Sequence, residues 1–375
     1  MKIIIAPGAF KDSLSANRVA QAITRGLQRS GLDYELFVMP IADGGNGTLD
    51  AFLSQGGRRI ACNVLNPVEK PIDAEYALLD DGNTAVIEMA LASGMELISA
   101  DEQNPLKTTT YGTGQLLSAA LDTGAKRIVI GMGGSATVDG GAGCLQALGV
   151  RLLDADGNDV SCGGGQLSKI AQIDSSALDS RWRDVEIIIA SDVDNPTLGP
   201  NGAAAIFGPQ KGASPQDVDI LEANLRHFFT LIRDQLGIDV LDVRGGGAAG
   251  AFAAGLMAFL GGRIESGIDL ILEHMDFEKN LQNAALVITG EGQIDEQTIQ
   301  GKGPIGVARL AREYGVPTVA IVGGLNADDE LLHNAGVQAV LPIVTGTMTL
   351  AEAIYRADEL VERTALRLGY LLQVK

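Results

Sequence analysis

Residues 286–304, LVITGEGQIDEQTIQGKGP, decide how the rest of the chain is read. Leu286, Val287 and Ile288 form a short apolar run closed by Gly290, the pattern of a buried strand. A polar segment carrying Glu291, Asp295, Gln297 and Lys302 follows, and a helix is expected from about Pro304, with proline in its first turn. Two carboxylates and an amine on the loop leaving a strand's carboxyl end form the arrangement with which α/β enzymes hold a metal and a phosphate. Gly290, Gly292 and Gly301 point to backbone held close to another group. The alternative is a solvated βα loop with ordinary surface charges.

From this stretch towards the carboxyl end the βα rhythm continues. A helix is expected over 305–314, a strand over 318–322, a helix over 328–334, a strand over 339–343 and a last amphipathic helix over 350–368. The amino end has the same rhythm. A strand over 3–6 and a loop over 7–12 lead to a helix capped by Ser13 or Ser15 and running to about Arg29, with Leu14, Val19, Ala22, Ile23 and Leu27 on one face. A strand over 36–41 and a short helix over 48–53 follow. After Gly56 and Gly57 the pattern changes to alternation at 59–64, 74–79 and 85–89, as in antiparallel strands. Joining the two ends gives about five βα units, the count of a flavodoxin-like, doubly wound parallel sheet of order 2-1-3-4-5. The middle of the chain is then an inserted α/β domain with a mixed sheet. The expected division is 1–57 with 285–375, and 58–284, with the active site in the cleft between them. Two consecutive domains are the alternative, which would leave the opening βαβα unit without enough sheet to cover it. In a 2-1-3-4-5 sheet the crevice opens between the first and third strands. Lys11 is therefore expected to face Glu291 and Asp295, with Asp43 on the neighbouring loop.

Composition narrows the partners. The 375 residues exceed what one core usually serves, and 46% of them are hydrophobic. Lys and Arg total 28 against 47 Asp and Glu, a net charge of −19 that repels nucleic acid and anionic membrane surfaces. An anionic substrate therefore needs local lysines, helix N-termini or a divalent cation. Cys62, Cys144 and Cys162 lack metal-ligand spacing and imply a reducing cytosol. Lys2 followed by three isoleucines and Pro7-Gly8 reads as a strand and turn rather than a signal peptide, so a cytoplasmic protein is expected.

The inserted region holds a second glycine site. A strand over 127–130 leads into Gly131-Met132-Gly133-Gly134-Ser135-Ala136-Thr137-Val138-Asp139-Gly140-Gly141, with a helix through Leu145 and Leu148 beyond it. Backbone N–H groups of such a loop and the helix N-terminus favour phosphate. Gly133 to Ala136 also fits the loose dinucleotide pattern, with Asp154 at about the separation of a ribose contact. Ser135 and Asp139 argue instead for a hydroxyl and a carboxylate aimed at a metal–phosphate group; a tight turn needing glycine for sterics is the plain alternative. A strand over 185–191 ends in Asp192 and Asp194, which alternate and are expected to share a cation; an Asx turn at Asn195-Pro196 is the other reading. Lys211 between Gly208 and Gly212 is a candidate phosphate contact. The run 244–262 is too short and too rich in Ala and Gly for a membrane span, and reads as a packed helix. His227, His274 and His333 sit on separate elements, and Trp182 reads as a packing residue.

Taken together, APGAFKDSLSA (6–16), IADGGNGT (41–48), YGTGQL (111–116), GMGGSATVDGGAG (131–143), SDVDNP (191–196), FGPQKGA (207–213) and TGEGQIDEQTIQGKGP (289–304) resemble the bacterial type 1 glycerate kinase family. The resemblance spans almost the whole chain. It implies transfer of the γ-phosphoryl of ATP, with Mg2+, to D-glycerate in glyoxylate or sugar-acid breakdown, the 2-phosphate being favoured over the 3-phosphate. The residue chemistry fits, because phosphoryl transfer needs positioning and charge neutralisation more than covalent catalysis. Lys11 is expected to contact the substrate or the transferring phosphate, and Asp43, with Gly44 and Gly45 beside it, to bind the acid and orient or deprotonate its hydroxyl. Asp192, Glu291 and Asp295 are expected to hold magnesium. Gly133, Gly134, Ser135 and Asp139, with Lys211 or Lys302, are expected at the nucleotide phosphates. Two other classes remain open on sequence: an NAD-dependent oxidoreductase using Gly131–Ala136 and Asp154, and a non-catalytic sugar-acid sensor.

Overall fold

Strand Lys2–Pro7 finds one partner nearby, Glu35–Val38, and the other far along the chain, Ala284–Gly290, both in parallel register. Ile3, Ile4 and Ile5 are wholly buried there, and burial of such side chains stabilises by about 1.5–3 kcal/mol each. Thr318–Val322 and Ala339–Pro342 extend the sheet beyond Ala284–Gly290, again in parallel. Numbered along this unit, the five strands lie in the order 2-1-3-4-5, the flavodoxin-like sheet expected from the pattern. The computed structural model describes residues 1–31, 33–295, 298 and 303–374. Within them the chain forms two compact units: Met1–Asp43, Asp50–Gln55 and Gly267–Lys375 in one, Gly44–Leu49 and Gly56–Ser266 in the other.

The sheet of the first unit is covered on both faces, as alternation along its strands requires. Ile3, Ile5, Ile288, Val319 and Ile321 face helices Ala16–Arg29 and Ala357–Leu371. Ala320 and Val322 face Ile305 and Ala308 of helix Gly303–Glu313 and Leu332 of Asp329–Asn334. Ser15, not Ser13, caps the first helix, accepting from the N–H of Arg18. The single last helix expected over 350–368 is instead two, Leu350–Tyr355 and Ala357–Leu371, because Arg356 leaves helical geometry at φ −97° and ψ 8°.

The second unit has a six-stranded mixed sheet in the order Arg263–Glu265, Glu186–Ala190, Arg127–Gly131, Thr84–Glu88, Pro71–Leu78, Arg58–Leu65. The first four run parallel and the last two are added antiparallel. Thr84–Glu88 is thus antiparallel on one side only; on the other it pairs in parallel with Arg127–Gly131. The glycine- and alanine-rich run is the buried helix Ala248–Leu260. No helix among the described residues is long and apolar enough to cross a membrane.

Helices Ala16–Arg29 and Ala357–Leu371 approach closely because Gly26 has no side chain. A Cβ there would lie 2.3 Å from the Glu362 carbonyl oxygen and 2.7 Å from Ala365 Cβ. Ion pairs from Arg18, Arg25 and Arg29 to Asp358 and Glu362 edge this contact, but at exposed positions such pairs add little. Gly26→Ala is expected to destabilise by about 1–3 kcal/mol through overpacking, despite alanine's better helix propensity, read as a lower urea midpoint. A neutral or stabilising alanine would show that the two helices can part without cost.

Candidate active site

In the first unit the strand order reverses between Lys2–Pro7 and Ala284–Gly290, and the loops leaving their carboxyl ends run together. The Gly8 N–H donates to the Gly290 carbonyl at 2.8 Å. A Cβ on Gly292 would sit 3.2 Å from the backbone of Phe10 and Lys11, and one on Gly290 would sit 1.9 Å from the Ile321 carbonyl. Close backbone approach therefore requires glycine at Gly290 and leaves little space for a side chain at Gly292. Beyond it, Gln293–Asp295 pairs in parallel with Gly324–Asn326, so the loop is tied to the one after the neighbouring strand.

Glu291 reports its surroundings through its acidity. Burial pushes its carboxyl up to about 7; Asp43 and Asp295 push the same way, while the Thr298 hydroxyl, donating at 2.6 Å, and Lys11 pull it down. Four residues expected at the site, Lys11, Asp43, Glu291 and Asp295, thus share one electrostatic neighbourhood. Lys302 lies outside the described residues.

In the second unit three segments meet backbone to backbone. The Gly133 N–H donates to the Gly44 carbonyl at 3.0 Å. A Cβ on Gly133 would lie 2.4 Å from Gly45 Cα, and one on Gly44, whose φ is +85°, would lie 2.5 Å from the Ala190 carbonyl. Segment Gly44–Leu49 is held further by Glu88, whose carboxylate accepts from the N–H groups of Gly47 at 3.1 Å and Leu49 at 2.6 Å. Glu88 escaped the reading of the sequence. Its signal was a carboxylate ending the apolar run Ala85-Val86-Ile87, at the same sheet edge as the glycine loop.

Asp139 corrects an expectation. It is fully buried, and its oxygens accept from Thr110 N–H (2.8 Å), Thr110 hydroxyl (2.9 Å), Gly141 N–H (3.1 Å) and Gly143 N–H (3.3 Å). The amides at the start of helix Ala142–Ala147, expected to take phosphate, are thereby spent on the chain's own carboxylate. Lys211 lies beneath the loop as well, 2% exposed, donating to Ser135 Oγ and the Thr137 carbonyl at 2.7 Å each. Burial pulls its ammonium down to about 7, with Asp139 acting in the opposite sense. From the other side Ala249, Gly250 and Ala251 adopt left-handed backbone (φ 54°, 70° and 66°), and the Gly140 N–H donates to the Gly250 carbonyl at 3.1 Å.

Asp192 is half-buried after strand Glu186–Ala190. Asp194 is engaged by Arg244, which donates to both its oxygens, at 2.9 and 2.6 Å. Among the described residues, no three His, Cys, Asp or Glu side chains gather as a metal-holding group. Asp154 is engaged in its own turn, accepting from the N–H groups of Asp156 and Asn158 at 2.9 Å each. The strand before it, Arg151–Leu153, pairs antiparallel with Gln172–Asp174 in a separate ribbon, so the parallel unit that a dinucleotide fingerprint needs is missing. His227 and His274 contact the backbone carbonyls of Ile170 and Phe52, and Trp182 is buried.

With this geometry in place, a profile described as the glycerate kinase family matches residues 3–373. The chain belongs to the glycerate kinase family. The glycerate kinase of Bacillus subtilis (strain 168) is 50% identical over 97% of this chain and 96% of its own length. The glycerate 2-kinase of Escherichia coli (strain K12) is 46% identical over 100% of this chain and 98% of its own. A crystal structure from Salmonella typhimurium LT2, provisionally named glycerate kinase 2, superposes with a TM-score of 0.87 at 45% identity, covering 100% of this chain and 98% of that one. The chain is therefore a kinase, with ATP as co-substrate and a small molecule as acceptor.

Two outcomes follow from the packing and the acidity. A Cβ on Gly250 would lie 2.1 Å from the Thr137 carbonyl and 2.6 Å from Val138 Cα. Gly250→Ala is expected to cost about 2–5 kcal/mol from the clash and the left-handed backbone together; an unchanged urea midpoint would show that the glycine loop is not clamped there. The Glu291 carboxyl sits above its ordinary value of 4.5, so its contribution to stability is full below about 4.5 and lost as pH rises through about 7. In metal-free protein Glu291→Gln should therefore gain in Tm relative to wild type between pH 5 and 8. A constant difference across that window would mean that the carboxyl titrates normally.

Proposed function

We propose that the enzyme phosphorylates the 2-hydroxyl of D-glycerate, in the breakdown of glyoxylate or sugar acids in a reducing cytoplasm. The observation that carries the reading is the shared neighbourhood of Lys11, Asp43, Glu291 and Asp295, drawn from three loops of one sheet edge. Glycerate brings a carboxylate that must be gripped and a hydroxyl that must be aimed and relieved of its proton. Lys11 is a cation standing on an exposed loop, suited to the carboxylate or to the transferring phosphate. Asp43 is the carboxylate assigned to orient the hydroxyl and accept its proton, with Gly44 and Gly45 following it in the chain. The 46% identity to a glycerate 2-kinase supports the 2-phosphate, and three free thiols support a reducing compartment.

Magnesium fits the donor set by its chemistry. Glu291 is held up at about 7 by burial and two further carboxylates, and hard oxygen donors of this kind suit a cation that takes one or two carboxylates plus phosphate oxygens and waters. Glu291 and Asp295 would hold it in the first unit, and within the second unit Asp192 is a carboxylate of the same kind. When bound, it would supply charge neutralisation at the phosphate oxygens. In the second unit, Gly133, Gly134 and Ser135 would receive nucleotide phosphates through backbone N–H groups and a hydroxyl.

Lys11→Ala and Asp43→Asn are each expected to lower kcat at least a hundredfold with Tm little changed, in a coupled assay of ADP formation with D-glycerate. Near-normal turnover in both would remove them from the mechanism. Phosphorus and carbon NMR of the wild-type product should place the phosphate on carbon 2. A phosphate on the 3-hydroxyl would overturn the proposed product, while leaving the kinase activity intact.

A further inference from the structure

We infer that Lys211 serves the reaction through Ser135: its ammonium donates to Ser135 Oγ and so turns that hydroxyl's own proton outward, as a donor to a phosphate oxygen of the nucleotide. The inference rests on the reading of Gly133–Ser135 as the nucleotide-phosphate loop. It makes Lys211 a positioning residue rather than a phosphate contact.

The argument is one of donors and acceptors. A lysine ammonium has three N–H donors and no acceptor, and a serine hydroxyl has one donor and two lone pairs. Lys211 Nζ lies 2.7 Å from Ser135 Oγ and 2.7 Å from the Thr137 carbonyl. With Lys211 protonated, Ser135 is the acceptor in the first of these bonds and its own proton leaves in another direction. Among the described residues no acceptor takes that proton, and Ser135 keeps 7% of its surface against 2% for Lys211. Ser135 thus lies nearer to solvent than the ammonium behind it, and an anion approaching the loop would meet the serine first. Charge behind a donor strengthens it, as in other charge-assisted bonds.

The lysine is fixed in this role by its own turn. Gly212 closes the turn Pro209–Lys211 at φ +94°, and a Cβ on it would lie 2.3 Å from the Gln103 carbonyl. Asp139 faces the lysine from within the glycine loop and is itself held by Thr110, Gly141 and Gly143. Its charge opposes the desolvation that otherwise favours the neutral amine, and a phosphate beyond Ser135 would act in the same sense.

A double-mutant cycle on the full-length enzyme tests this, with KM for ATP, kcat and Tm measured for each variant. Ser135→Ala should raise KM for ATP roughly tenfold to a hundredfold with a smaller change in kcat, and Ser135→Thr, which keeps the hydroxyl, should raise it less than Ser135→Ala does. Lys211→Met should raise KM by a similar factor, and the double variant should be no worse than the worse single. If Lys211→Met costs the same further factor in the Ser135→Ala background as in wild type, Lys211 acts independently of the hydroxyl and the inference is overturned. If folded Ser135→Ala leaves both KM and kcat unchanged, the loop is not the nucleotide site, and both readings fall. Should Lys211→Met not fold, Lys211→Gln, which keeps an N–H donor without the charge, takes its place in the same cycle.

Discussion

Ile3, Ile4 and Ile5 are hydrogen-bonded in register with Leu286, Val287 and Ile288, although more than two hundred residues separate them. Everything proposed for the acid-handling side depends on that pairing. Parallel strands cannot be joined by a tight turn, so each must be reached by a crossover. Here the crossover from Lys2–Pro7 passes on one face, and that from Ala284–Gly290 passes on the other. The two loops are left facing each other where the helices diverge. Lys11 and Glu291 owe their shared neighbourhood to this reversal of strand order and not to any local motif.

The second unit solves a different problem with buried charge. The glycine loop after Gly131 carries few large side chains to hold it still. Asp139 and Lys211 supply the missing rigidity from below, one collecting N–H groups and the Thr110 hydroxyl, the other tying Ser135 to the Thr137 carbonyl. Ala249 and Ala251 hold left-handed backbone beside the loop, which costs roughly 1–2 kcal/mol each and persists only where the surroundings enforce it. Desolvation makes an unsatisfied group in such a place expensive, and Asp139 offsets it with four donors.

Much of this was legible in the residues. The βα rhythm at both ends, the alternation between them and the apolar run at 286–288 were enough for the strand order, because periodicity reports which faces are buried. The run after Gly131 was legible as a loop that needs glycine. The direction of its polar side chains was not. Asp139 reads as a ligand on paper and is an internal acceptor in the fold, because Thr110, Gly141 and Gly143 reach it only once the chain has turned back on itself. Asp194 likewise reads as a partner of Asp192 until Arg244, fifty residues on, takes both its oxygens. Glu88 was passed over because a single carboxylate closing an apolar strand looks like an ordinary boundary.

The sequence by itself determined the class of fold, the family and the set of residue types at the sheet edges, since these follow from spacing and local chemistry. Tertiary structure alone decided which of those side chains face outward and which are consumed inside. Hydrogen bonds and burial are settled by neighbours distant in the chain, and segment Gly44–Leu49 makes the point most plainly. Its flanking residues belong to one unit, while its own backbone is held in the other by Glu88, Gly133 and Ala190.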